Sequence, residues 1–170
     1  RNGWQGDAGV VTWIDRGDWR KAGEVARAWR QAMSEADDVA ELVRAQASLA
    51  TLATLDGGAD GATARRSLGA TLDARAEELA AVYPPAVIEL RLYAGLLAAY
   101  AGDRAGVDTA LEATRGSPIL GDYPTVSQLQ QVVLAEQSRL DGKPQAAVAR
   151  LAPLARQDTA LVAVHWALMR

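Results

Sequence analysis

The side chains that could carry chemistry in this chain are few and stand apart from one another. His165 is the single histidine and cysteine is absent, so a histidine triad, a multi-histidine metal site, a thiolate site and a disulfide all lack members. His165 is read as packing or hydrogen-bonding beside Trp166. The segment Asp56-Gly57-Gly58-Ala59-Asp60-Gly61 begins like a calcium loop, with carboxylates at the first and fifth positions and glycine at the sixth. Gly58 at the third position and Ser67 at the twelfth then leave too few oxygen ligands. Gly142-Lys143-Pro144 lacks the upstream glycine and the following Ser or Thr of a phosphate loop. Glu35, Asp37, Asp38 and Glu41 gather at a helix start, where carboxylates oppose the helix dipole without any catalytic role. The tripeptide Arg16-Gly17-Asp18 reads as a turn, Gly supplying the backbone freedom and Asp the cap. Trp4, Trp13, Trp19 and Trp29 crowd one stretch and are read as core and end-capping residues rather than an aromatic ligand site. No catalytic, metal or cofactor site follows, and the chain reads as a non-enzyme.

Composition narrows the partners. The 170 residues carry a formal charge of −3, which supplies no overall attraction to nucleic acid or to anionic membranes. No apolar run reaches the roughly 18 to 20 residues that span a bilayer, so direct membrane insertion is not expected. The absence of cysteine leaves cytoplasm and periplasm equally open. Only Lys21 and Lys143 among the 18 basic residues are lysines and alanine is abundant, a bias that fits a GC-rich bacterial genome. A chain that opens on Arg1 and runs to Arg170 reads as a piece of a longer protein.

The elements that would position any site are helical. Ala22, Val25, Ala26, Trp29 and Met33 share one face while Arg20, Glu24, Arg27 and Gln31 take the other, with Asp18 as the cap. A second helix follows an Asp37 or Asp38 cap, carries Val39, Leu42, Val43, Leu49, Ala50 and Ala53 inward, and stops at Gly57-Gly58. The third helix is expected from about Thr63 to Val82, where Pro84-Pro85 forbids continuation. The fourth reaches Ala101, a shorter fifth holds Val107, Ala110 and Leu111, and residues 116–123 read as a joint. The sixth runs from about Pro124 to Leu140 and the seventh from about Gln145 to Arg156, with Pro153 expected to kink or end it. A last helix is expected to open at Asp158. Strand signals are brief, as in Gly9-Val10-Val11-Thr12-Trp13, which helical context should override.

Turn signals at Arg16-Gly17-Asp18, Gly57-Gly58-Ala59-Asp60-Gly61, Ala101-Gly102-Asp103 and Asp141-Gly142-Lys143-Pro144 recur about every 40 residues, the period of helical repeat arrays. The expected fold is all-α, an α-solenoid of about four antiparallel hairpins at 4–33, 37–82, 86–116 and 124–156 plus a final helix at 158–170, all in one domain 1–170. That final helix would lack the second helix of its repeat. It would therefore leave Leu161, Val164, His165 and Leu168 in search of cover and favour self-association through 158–170.

Around three of the turns the residues resemble the tetratricopeptide repeat. A small residue follows each turn glycine at Ala22, Val107 and Ala147, and a further core residue follows at Ala26, Leu111 and Leu151. Gly95 and Ala135 occupy the place that lets the two helices of a repeat approach, whereas Val10 departs from it. The resemblance implies a right-handed superhelix whose first helices line a concave groove. Its residues would be Asp7, Val11 and Ile14 in the first hairpin, Glu89, Leu92, Leu96 and Tyr100 in the third, and Leu129, Val132, Glu136 and Arg139 in the fourth. For the leucines and valines, packing on neighbouring helices is an equal alternative. The function implied is a non-catalytic scaffold binding a protein or peptide segment; the alternative is a regulatory domain that senses a small ligand and controls an attached effector.

Overall fold

A computed structural model describes residues 3–56, 60–157 and 162–169, with side chains described for all of these except 3–7, 162 and 166. The described elements are all helical, and no strand occurs among the described residues. The chain forms two compact units, Arg1–Tyr83 and Pro84–Arg170. The first holds α1 (Gly3–Asp15), α2 (Trp19–Glu35), α3 (Val39–Leu55), α4 (Asp60–Ala74) and α5 (Ala76–Val82). The second holds α6 (Ala86–Tyr100), α7 (Arg104–Thr114), α8 (Ile119–Asp122), α9 (Pro124–Leu140), α10 (Pro144–Ala155) and α11 (Val162–Met169).

One joint recurs between helices. Gly17, Gly102 and Gly142 take φ of 74°, 72° and 73°, a left-handed conformation that suits a residue without Cβ. At each of them the next amide reaches back five residues, Asp18 N–H to Trp13 C=O at 2.9 Å, Asp103 N–H to Ala98 C=O at 2.9 Å and Lys143 N–H to Ser138 C=O at 2.8 Å. This satisfies carbonyls that the helix end would otherwise leave bare. A joint of the same kind links α2 to α3, where Asp38 N–H reaches Met33 C=O at 3.1 Å. There the left-handed residue is Asp37, with φ 52°. Aspartate caps follow: Asp18 accepts from the Lys21 amide at 2.9 Å, Asp38 from Glu41 at 3.1 Å and Asp103 from Gly106 at 2.9 Å. α10 has no side-chain cap and opens instead on Pro144, whose missing N–H is no loss in a first turn.

In the first unit the expected stripe of α2 is buried at Ala22, Ala26, Trp29 and Met33, packed with Val10, Ala45 and Leu52. The segment Gly9–Trp13 is helical, within α1. α3 packs on both α2 and α4, and the Gln46 amide donates to Ser67 at 2.5 Å across the second of these contacts. The helix expected over Thr63–Val82 is in fact two. Arg75 leaves helical backbone at φ −120°, where its guanidinium bonds both Glu78 and Asp37 at 3.0 Å or less. The break lets α5 turn onto α3 and bury Leu79.

In the second unit Leu92, Leu96, Val107, Val126, Leu129, Val132, Val133, Ala147 and Leu151 form the core. A Cβ added at Gly95 would stand 2.7 Å from Ala110 Cβ and 3.3 Å from Val133 Cγ1, so α6 meets α7 and α9 at a point where only hydrogen fits. The expected joint at 116–123 contains the short α8. α10 ends at Ala155, soon after Pro153, as a residue without an N–H and with a bulky ring dictates. The Asp158 cap, Leu161, Gly57 and Gly58 lie outside the described residues. Val164 and Ala167 of α11 are buried in the core and Leu168 packs against it. That face is thus covered from within the unit, leaving Met169 at 74% exposure. His165 is exposed, which corrects the packing half of the expectation that it packs or hydrogen-bonds; the Trp166 side chain lies outside those described.

Candidate functional site

Besides its buried stripe, α2 carries a second stripe of opposite character. Arg20, Gly23, Arg27, Arg30 and Ser34 recur at alternating steps of three and four, which places them on one face. That face forms one wall of an open trough whose floor is α3, through Leu42, Gln46, Leu49 and Ala53, and whose far wall is α4, through Asp60, Ala64 and Thr71. Two open pockets of about 760 and 560 Å³ lie along the trough, with Arg27 and Arg30 bordering both. At one end stand Trp19, 43% exposed, with Asp56 and Asp60. At the other stands Glu35, which accepts from the Gln31 amide at 3.0 Å. Leu42, Leu49 and Ala53 are half-buried, so the floor presents apolar surface beside the charged wall of α2.

The charges of the trough are unevenly matched. Arg20 is paired with Glu24 on its own helix. Arg27 and Arg30 form no ion pair or hydrogen bond among the described residues. The Arg27 guanidinium lies back along α2 over Gly23, its Nη1 3.4 Å from where a Cβ of that residue would stand. A helix-interior glycine costs about 1 kcal/mol relative to alanine. Here it leaves a clearing in the wall that a planar cation occupies.

The second unit has its own open groove, of about 980 Å³, between α7 and α9, lined by Asp108, Glu112, Arg115, Gln130, Leu134 and Gln137 among others. Its charges are already matched. Arg104 pairs with Asp108 and, at 2.7 Å, with Asp141, the Gln137 amide donates to Asp108 at 2.7 Å, and Arg115 pairs with Glu112 at 2.7 Å. The hydrogen bond from Arg104 holds the Asp141 carboxyl below the usual carboxylate range, and the bonds from Arg104 and Gln137 do the same for Asp108. The same contacts raise the Arg104 guanidinium.

The residues expected to line a concave groove fall into three groups. Leu92, Leu96, Leu129 and Val132 are buried in the core of the second unit, the packing alternative. Glu136, 2% exposed, is held by Arg139, which also donates to the Ala167 carbonyl and so caps the end of α11. Val11 and Glu89 are exposed, Ile14 and Tyr100 are half-buried, and the Asp7 side chain lies outside those described. Among the described side chains, none of these lines the trough of the first unit or the groove of the second. Trough residues Arg20, Arg27 and Gln31 stand on the face of α2 that the sequence pattern assigns to solvent. The three-four spacing of Arg20, Gly23, Arg27 and Arg30 is the signal that could have marked them.

Among the described residues, no three His, Asp or Glu side chains gather to hold a metal ion, and no helix is long and apolar enough to cross a membrane. No family model, curated protein or solved structure matches the chain. Function therefore rests on the geometry of these surfaces.

Proposed function

We propose that this chain is a non-catalytic module of tetratricopeptide-like helical hairpins that binds a protein or peptide segment. The observation that carries this reading is the trough along α2, α3 and α4. Its two pockets follow one another along α2, share a half-buried apolar floor, and are lined by side chains able to hydrogen-bond. Such a channel suits an extended or helical segment laid along it, as in helix-in-groove recognition. A small ligand is more often held in a cleft that covers most of its surface. The turn-following residues Ala22, Val107 and Ala147, on which the repeat resemblance rests, are fully buried, which supports the same reading.

The test is a selection of displayed 18-residue peptides on the immobilised chain, run beside thermal unfolding against a metabolite library. Saturable enrichment of peptides is expected. A failure to enrich any peptide would overturn this reading, and a concentration-dependent rise in Tm with one metabolite would then replace it with that of a small-ligand sensor.

A further inference from the structure

The trough of the first unit has a charge order along its length, and that order specifies an occupant. Asp56 and Asp60 stand at the Trp19 end, and Arg27 and Arg30 stand two to three helical turns further along α2. At a rise of 1.5 Å per residue, the Arg27 guanidinium, lying back over Gly23, stands about 6 Å along α2 from Trp19, and the backbone of Arg30 about 16 Å. The two arginines are the cations that the fold leaves unmatched here, since Arg20 is taken by Glu24. Guanidinium groups bind carboxylates as planar forks. Beside the charged wall of α2, Leu42, Leu49 and Ala53 offer apolar surface on a helical spacing, and Trp19 provides a rigid aromatic contact at the mouth.

We propose that this trough docks an amphipathic helical segment of a partner protein, its apolar face on Leu42, Leu49 and Trp19 and its carboxylates on Arg27 and Arg30. This rests on the peptide-binding reading above and narrows it in face and in chemistry. A basic side chain on the segment, one to three turns from its acidic ones, meets Asp56 and Asp60 and sets the direction in which it lies. Gly23 belongs to the same device: with no side chain it lets the Arg27 head lie down in the trough, and a bulky replacement fills the space.

The probe is the same library of displayed 18-residue peptides, selected on the full chain and then measured by fluorescence anisotropy. Enriched peptides are expected to carry Asp or Glu at three-four spacing beside leucines. Their binding is expected to fall about tenfold or more in the Arg27→Glu/Arg30→Glu variant and to weaken with added salt. Gly23→Leu, which changes no charge and favours helix, is expected to lower binding comparably. Arg115→Glu, just past the end of α7, is expected to leave binding unchanged. Far-ultraviolet circular dichroism of each variant separates lost binding from lost fold. Enriched peptides that are basic, or acidic ones that bind the charge-reversed and Gly23→Leu variants as well as the parent, overturn this placement while leaving peptide binding intact. Enrichment of no peptide overturns both.

Discussion

Gly95→Ala tests a close helix approach in the second unit. The added Cβ would stand 2.7 Å from Ala110 Cβ and 3.3 Å from Val133 Cγ1. Carbon atoms in good contact sit about 3.5–4.0 Å apart, so α6 and α7 must part by most of an ångström or distort. Overpacking of this kind costs about 1–3 kcal/mol, while exchanging glycine for alanine inside a helix returns about 1 kcal/mol. The net expectation is a loss of up to about 2 kcal/mol. Gly69, inside α4, has nothing within 4 Å of an added Cβ, so Gly69→Ala should show the propensity gain alone, about 1 kcal/mol of added stability. Ala110→Gly removes the obstructing methyl. In Gly95→Ala/Ala110→Gly, the two changes should therefore couple favourably by at least about 1 kcal/mol. Urea unfolding followed by circular dichroism gives all of these values. A gain from Gly95→Ala equal to that from Gly69→Ala, with coupling below about 0.5 kcal/mol, would refute the close approach.

Trp29 is 5% exposed and its Nε1 is buried without a hydrogen-bond partner among the described residues. Trp29→Ala should therefore cost about 3–5 kcal/mol in urea unfolding, and Trp29→Phe much less, because Phe retains most of the bulk and removes an unsatisfied donor. Asp37→Gly should raise Tm: glycine relieves the left-handed backbone at φ 52°, a gain of roughly 0.5–1 kcal/mol, and the bond lost to Arg75 belongs to a carboxylate that is 85% exposed. A lowered Tm would mean that the Arg75 contact outweighs the backbone. Asp108 and Asp141 have folded-state values below the ordinary carboxylate range, so their contribution is fully present above the unfolded value near pH 4 and is lost as pH falls through the folded values. The stability difference between the parent and Arg104→Gln should stay level from pH 7 to about 5 and shrink towards pH 2.5; a difference independent of pH would show that the pairs do not bind protons differently in the two states.

Much of the framework is legible in short-range pattern. The inward stripe of α2, the Asp18 cap and the left-handed glycines at 17, 102 and 142 each follow from residues within a turn or two of one another. Contacts between residues distant in the chain are not legible in this way. Nothing near Arg75 breaks a helix; the Asp37 that draws its guanidinium stands 38 residues away. Asp37 itself occupies the place that glycine takes in the other joints, and a left-handed aspartate carries no mark of its own. The groove residues assigned through the repeat resemblance include Leu92, Leu96, Leu129 and Val132, whose apolar character fits a groove and a core equally; only packing separates the two. The trough was hidden for the converse reason. Its arginines lie on a polar face, and a polar face becomes a channel only when α4 rises beside it.

The joint shared by these helices has a consequence for how such a chain grows. Each is closed by backbone hydrogen bonds and by the handedness of a single residue, so it stores no information about which helices it connects. A helix excised or duplicated together with its joint leaves every remaining connection chemically complete. Only the packed faces have to find new neighbours. Change in a molecule of this kind is therefore modular: the linkage is a reusable coupling, and novelty is confined to the side chains that meet across each new seam.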